Sequence, residues 1–164
     1  MDETRIELLQ RMPVFGGIQA DVLDFLLSLC PIDTVRANEY FFRESDDADA
    51  MFVLEAGKVA VLKSWHGGDF LLHTLERGDC FGEMALIDLQ PRSASVRAIE
   101  DCEAIRLSAA NLYQVNERSV EQFAMIQMNL GREISRRLRA ADERIFESRM
   151  GAPEAELQHV FQAS

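Results

Sequence analysis

Residues 81–98 read Phe81-Gly82-Glu83-Met84-Ala85-Leu86-Ile87-Asp88-Leu89-Gln90-Pro91-Arg92-Ser93-Ala94-Ser95-Val96-Arg97-Ala98. The stretch sets a glycine and a carboxylate ahead of a short helix-capable run, then an arginine and a hydroxyl just before a strand-like segment. These residue types suit a small anionic sugar-phosphate. Arg92 offers a permanently charged planar fork that can engage two phosphate oxygens at once, and such a charge-assisted bond contributes about 1.5–3 kcal/mol net. Gly82 has no Cβ to hold the backbone at a distance. The run from Glu83 to Asp88 can form a short helix whose leading amides are unpaired and point at an anion. Ser93 adds a hydroxyl and Ala94 a backbone N–H. Glu83 would repel a phosphate, so its useful task is to accept from a sugar hydroxyl while partly balancing Arg92. Singly, glycine, glutamate and arginine are commonplace in loops, and an Arg–Glu pair is more often structural than ligand-bound.

Outward from this stretch the chain changes texture twice. Between Ile32 and Leu107, short apolar runs alternate with turn signals. Tyr40–Phe42, Met51–Leu54, Val59–Leu62, Phe70–Leu72, Ser95–Ala98 and Ala104–Leu107 read as strands, separated by Ala56-Gly57, His66-Gly67-Gly68-Asp69 and Gly78-Asp79. Many short strands at such spacing predict a mainly β fold, a β-sandwich or jelly roll. Ahead of them, Ile6, Leu8 and Leu9 form one helical patch ended by Pro13 and Gly16-Gly17. A second helix, from Val22 to Leu29, is stopped by Pro31. Trp65, the only tryptophan, falls at the tip of a Gly-rich hairpin, where it either packs the turn or faces a partner or a mobile helix.

After Asn111 the period becomes helical. Phe123, Ile126, Leu130, Ile134, Leu138, Ala141 and Ile145 recur at steps of 3 or 4, a mean of about 3.7, nearer a straight helix than a left-handed coiled coil. The helix is expected over roughly 119–149, and its stripe outruns what a small barrel can cover. A second copy of the same helix is the simplest partner; a single core-packed helix is the alternative. The predicted organisation is therefore 1–118 for two leading helices plus the sandwich, 119–149 for the long helix and 150–164 for a short tail with Leu157, Val160 and Phe161.

Composition narrows the function. The 164 residues carry a formal net charge of −11, which repels polyanions over the surface as a whole. The alternation of Arg132, Arg136 and Arg139 with Glu133, Asp142, Glu143 and Glu147 reads as a solvated, salt-bridged helix. Cys30, Cys80 and Cys102 have neither disulfide-framework nor zinc spacing and are expected as core thiols. His66, His73 and His159 are scattered and form no His-x-His cluster, so no metal site, catalytic residue or catalytic cofactor is expected. There is no apolar run long enough to span a bilayer and no basic-then-apolar leader, which makes the cytoplasm the expected compartment.

In both identity and spacing, Phe81-Gly82-Glu83-Met84-Ala85-Leu86-Ile87 followed by Pro91-Arg92-Ser93-Ala94-Ser95-Val96 resembles the phosphate-binding cassette of the cyclic-nucleotide-binding domains, the family of the cyclic-AMP receptor protein and the protein kinase A regulatory subunits. The likeness runs from the Leu8-Leu9 helix to about Ile145; Ala50–Leu54, Gly57–Val61 and Gly78-Asp79 are similar to the family's strands and its turn before the cassette. Asn38, Ser45 and Ala48 stand where the family commonly has glycine, which puts the local loop shapes in question. The resemblance implies a jelly-roll nucleotide-binding sandwich with flanking helices and a long C-terminal helix. It implies a ligand, cyclic AMP or cyclic GMP, held at Gly82, Glu83, Met84, Ala85, Arg92, Ser93 and Ala94, with Glu83 on the ribose 2′-hydroxyl. Val61 and Leu72 would then form an apolar wall beside ribose and purine; the alternative is that both belong to the sandwich core.

The family reads the base from its C-terminal helix. Aligned on Arg136-Arg137-Leu138, this chain has Ala141-Asp142 where the cyclic-AMP receptor has a Thr-Ser pair. Asp142 can accept from guanine, or can simply pair with Arg139 or Arg144 in solvent. Cyclic AMP is the default ligand and cyclic GMP the rival. Fourteen residues follow Met150, too few for the helix-turn-helix of the family's transcription factors, so no DNA contact is expected of this chain; a stand-alone sensor is the expectation and a chain truncated before an output module the alternative. The expected partners are the nucleotide, a second copy through 119–149 and an unidentified effector protein, with no membrane. A nucleotide-independent dimeric scaffold and an enzyme such as a phosphodiesterase are the other classes, the last without a metal cluster or nucleophile–base pair to support it.

Overall fold

Proline and glycine cut the N-terminal segment as their chemistry dictates. In the computed structural model, which describes residues 3–151, α1 (Glu3–Gln10) leads to a 3-10 turn (Pro13–Phe15), and α2 (Ala20–Leu29) stops directly before Cys30-Pro31. The expected tail residues Leu157, Val160 and Phe161 lie outside the described residues. Eight strands follow: β1 (Ile32–Val35), β2 (Tyr40–Phe42), β3 (Ala50–Ala56), β4 (Lys58–Trp65), β5 (Gly68–Glu76), β6 (Cys80–Phe81), β7 (Ser95–Ala98) and β8 (Cys102–Ser108). Between β6 and β7 lies the five-residue α3 (Met84–Asp88); after β8 come α4 (Ala109–Arg118) and the long α5 (Val120–Met150). The strands form two antiparallel four-stranded sheets, in the orders β1-β8-β3-β6 and β2-β7-β4-β5. This is the expected sandwich with flanking helices and a long C-terminal helix.

Burial shows how the layers are built. Alternate residues of β3 face opposite ways: Met51 and Val53 join Leu9, Phe15, Leu23, Leu26, Ile105 and Leu107 in a core under the helices, whereas Phe52 and Leu54 join Val59, Val61, Phe81, Val96 and Ala98 between the sheets. A strand buried on both faces reads as a continuous apolar run, and Ala50–Leu54 does. The first turns of α5 close the helical core through Ile126 and Leu130, and Asn129 Nδ2 donates to Val14 O at 3.1 Å and Gly16 O at 2.9 Å. By contrast β5 is an edge strand with little cover, and Phe70, Leu71 and Leu72 are exposed. Trp65 is 63% exposed at the β4–β5 tip, its ring edge-on to His66 at 4.3 Å.

The chain divides into two compact units, one ending at Leu130 and the other beginning at Gly131, within the span of α5. In the second, Leu138 and Ile145 of the apolar stripe are exposed, while Glu133 forms ion pairs with Arg136 Nη2 at 3.1 Å and Arg137 Nε at 3.6 Å. That is the salt-bridged helix surface the charge pattern predicts.

Two of the three glycine substitutions keep a glycine's backbone. Asn38 has φ 70° and Ser45 φ 74°, both left-handed, whereas Ala48 is not in that region. Ser45 sits in the turn after β2, and this turn bonds the backbone of Arg92 on both sides: Ser45 N–H donates to Arg92 O and Arg92 N–H to Asp46 O, each at 2.8 Å. The loop shape in question is thus retained against the preference of an L side chain, which resists that region by about 1–2 kcal/mol. Ser45→Gly is expected to stabilise the protein by up to about 1 kcal/mol, since glycine's own entropy offsets part of the relief; a urea-unfolding midpoint that falls would contradict it.

All three thiols are buried, as expected of core cysteines. Burial pushes the Cys30 thiol up to about 12 and also raises that of Cys102. The native state therefore holds the Cys30 proton after the unfolded chain has released it. The contribution to stability is complete below the ordinary cysteine pKa of about 8.5, and is lost as pH climbs from there towards about 12. Over that interval the expected slope approaches 1.4 kcal/mol per pH unit, or about that, for this thiol. Cys30→Val should flatten the alkaline fall of the urea midpoint; an unchanged slope would show that Cys30 is not its source.

Candidate functional site

The cassette is built around the buried Arg92, which is 8% exposed. Its Nη1 donates to Gly82 O at 3.2 Å and its Nη2 to Ala50 O at 2.7 Å, while the guanidinium carbon lies over the Phe42 ring, 3.9 Å from its centroid. Phe42 belongs to an aromatic cluster with Phe41, Phe52 and Phe81, in which Phe52 and Phe81 stack at 5.3 Å. Cation–π contact and two carbonyl acceptors replace the water a guanidinium loses on burial. Burial lowers the Arg92 pKa, and the charges of Asp49, Asp46 and Glu83 act against that fall. The Arg92 Nε–H is buried with no hydrogen-bond partner among the described residues.

Gly82 explains how the arginine fits. Its φ is +78°, and a Cβ there would meet Arg92 Nη1 at 2.5 Å, Ala50 O at 3.3 Å and Phe42 Cε1 at 3.4 Å. Glu83 follows at the helix N-cap and is 2% exposed. The bond from Leu86 N–H to Glu83 O, 3.1 Å, opens the turn of α3. The amides of Glu83, Met84 and Ala85 precede it, ahead of any intrahelical acceptor. Ala85 is buried and Met84 exposed. Beyond Arg92, Ser93 is exposed and Ala94 half-buried just before β7.

The structure thus brings Gly82, Glu83, Met84, Ala85, Arg92, Ser93 and Ala94 into one loop–helix–loop segment locked to β2, β3 and β7. The wall residues separate: Val61 belongs to the core between the sheets, whereas Leu72 is half exposed and is the extra residue of a β5 bulge, where Val61 pairs with His73 and Leu62 with Leu71. Ala141 and Asp142 lie in the second unit, half-buried and exposed respectively. Sequence reasoning missed the aromatic seat of Arg92 and its Ala50 acceptor. Phe41-Phe42 was legible only as a strand, since nothing local to it points to a residue fifty positions on. It also passed over Glu44 and Lys63, whose Nζ–Oε1 distance is 2.7 Å.

Chemically, the segment is a buried cation with an unspent N–H, the leading amides of a short helix and a hydroxyl, flanked by a buried carboxylate. It can take an anion on one side and a hydroxyl donor on the other.

Residues 32–119, more than half of the chain, match the family model of the cyclic nucleotide-binding domain. The chain is 30% identical over 131 residues to the cyclic AMP receptor protein of Thermus thermophilus, covering 79% of this chain and 59% of that one. It is 38% identical over 78 residues to a cAMP-dependent protein kinase regulatory subunit of Emericella nidulans, covering 46% of this chain and 18% of the other. It therefore spans less than two thirds of either relative. The crystal structure of the Thermus thermophilus catabolite activator protein aligns with a TM-score of 0.72 at 30% identity, over 81% of this chain and 61% of that one. Fold, cassette and family model agree, and the chain belongs to the cyclic nucleotide-binding domain family.

Proposed function

We propose that this protein is a cytoplasmic cyclic-nucleotide sensor that binds cyclic AMP and passes the signal to a partner protein by moving its C-terminal helix. The observation that carries the reading is Arg92, a buried guanidinium with an Nε–H left over, in the segment that follows the short helix α3. The cyclic phosphate takes Arg92, the Ser93 hydroxyl and the Ala94 amide. The Glu83 carboxylate accepts from the ribose 2′-hydroxyl. In this reading ribose and base take Leu72, open on its edge strand, while Val61 serves the core between the sheets. The chain's similarity to a cyclic AMP receptor protein and to a cAMP-dependent protein kinase regulatory subunit supports cyclic AMP as the ligand. The exposed stripe at Leu138 and Ile145 supports a homodimer through 119–149. The net charge of −11 favours a protein effector over nucleic acid.

Cyclic GMP is the second reading, favoured by Ser93 and by an exposed Asp142 in place of a hydroxyl pair. Calorimetry with cyclic AMP, cyclic GMP, 2′-deoxy cyclic AMP and cyclic di-GMP tests both. Cyclic AMP is expected to bind most tightly and its 2′-deoxy analogue at least about ten-fold more weakly, because Glu83 loses its donor. A ten-fold preference for cyclic GMP, about 1.4 kcal/mol, would reverse the choice of base. Silence from all four ligands would defeat the sensor reading and leave the scaffold.

A further inference from the structure

Two residues outside the cassette close on its far end. Lys63, near the end of β4, places Nζ 2.6 Å from Ser93 O and 2.7 Å from Glu44 Oε1. The other carboxylate oxygen of Glu44 accepts from Ser64 N–H at 3.0 Å, and the Glu44 N–H donates to Ser95 Oγ at 2.8 Å. Three segments meet here: the turn after β2, the end of β4 and the start of β7. Lys63 lies two residues from Val61, so it shares that residue's inner face of the sheet.

The consequence follows from peptide geometry. In a trans peptide unit the C=O and the following N–H point in opposite directions within one plane. A lysine that holds Ser93 C=O therefore sets the direction of the Ala94 N–H, one of the donors assigned to the phosphate. We propose that the Glu44–Lys63 pair is a positioning device for the phosphate site, aiming the Ala94 N–H away from β4 and holding Ser93 beside Arg92. This rests on the cyclic-nucleotide reading above. The bond from Lys63, followed by that from the Ser64 amide, holds the Glu44 carboxyl below the usual carboxylate range. The pair is thus intact at neutral pH, and its two charges cancel, so it acts by orientation rather than by added positive charge.

The test uses the full chain with Lys63→Met, Lys63→Arg, Glu44→Gln and the double variant Lys63→Met/Glu44→Gln. Calorimetry with cyclic AMP reads affinity, and 15N relaxation of the Ala94 amide reads order without ligand. Lys63→Met is expected to weaken cyclic AMP about ten-fold and to lower the Ala94 order parameter from about 0.85 to below about 0.6. Lys63 is half exposed, so the thermal midpoint should move by only a few degrees. Lys63→Arg should restore most of the affinity, and the double variant should be no worse than Lys63→Met, since the two residues work as a unit. Unchanged affinity in Lys63→Met, an unchanged Ala94 order parameter, or losses that add in the double variant would each overturn the proposal. A wild-type chain that binds no cyclic nucleotide would defeat the functional reading instead, and the relaxation arm, which needs no ligand, would still decide whether the pair holds the Ala94 amide.

Discussion

Arg92→Gln is expected to lower affinity for cyclic AMP by about a hundred-fold or more, which corresponds to roughly 2.7 kcal/mol. The figure is that of one lost charge-assisted bond to an anion, about 1.5–3 kcal/mol. Lys63, the cation that bonds Ser93 O, does not compensate, since its charge is balanced by Glu44. The guanidinium also serves the fold. Its two Nη groups satisfy Gly82 O and Ala50 O, and a buried carbonyl left unmet costs about 1–3 kcal/mol. Glutamine can reach one of those carbonyls but not both, so a lower ligand-free melting temperature should accompany the loss. Arg92→Lys separates the two effects, because it keeps a charge but has no planar fork. It is expected to bind more weakly than wild type and more tightly than Arg92→Gln. Calorimetry on the three proteins, each shown folded by its melting curve, makes the comparison. Wild-type affinity in Arg92→Gln would remove Arg92 from the site.

Gly82→Ala should damage fold and binding together. The new Cβ would stand 2.5 Å from Arg92 Nη1 at a φ of +78°. The left-handed backbone alone disfavours alanine by about 1–2 kcal/mol. The clash adds to this, because Arg92 can withdraw only by giving up its bond to Gly82 O and its seat on Phe42. A stability loss of about 2–4 kcal/mol is expected on that basis, with affinity for cyclic AMP at least about ten-fold weaker. Gly67→Ala is the natural control. Gly67 has the same φ of +78° at the β4–β5 tip, but nothing lies within 4 Å of the added carbon. It should show the backbone cost alone and leave binding intact. Equal unfolding midpoints for the two variants would show that the Arg92 contact carries no weight.

How much of this was legible beforehand depended on how local the cause was. The six runs read as strands all lie in strands, and the break between α4 and α5 falls at Ser119, where the long helix was expected to begin. Those readings rest on alternation, on helical spacing and on the stops at Pro13 and Pro31, all properties of neighbours in sequence. The strands β1 and β6 escaped it. Ile32–Val35 holds polar Asp33 and Thr34 rather than forming an apolar run, and Cys80–Phe81 is only two residues, so both are set by their pairing with β8 and β3. Ser45 shows the same limit from the other side: a missing glycine suggested an altered loop, yet the bonds from this turn to Arg92 keep φ at 74°.

Residue types and spacing along the chain determined the sandwich, the long helix and the order of groups in the cassette, because periodicity, turn chemistry and motif spacing are written in consecutive positions. Tertiary structure alone decided that Arg92 would be seated on Phe42 and bound to Ala50, that Gly82 would be its floor, and that Lys63 and Glu44 would hold Ser93. Each of these contacts joins residues ten to fifty positions apart. Their geometry is set by how two sheets pack, and no local pattern encodes that.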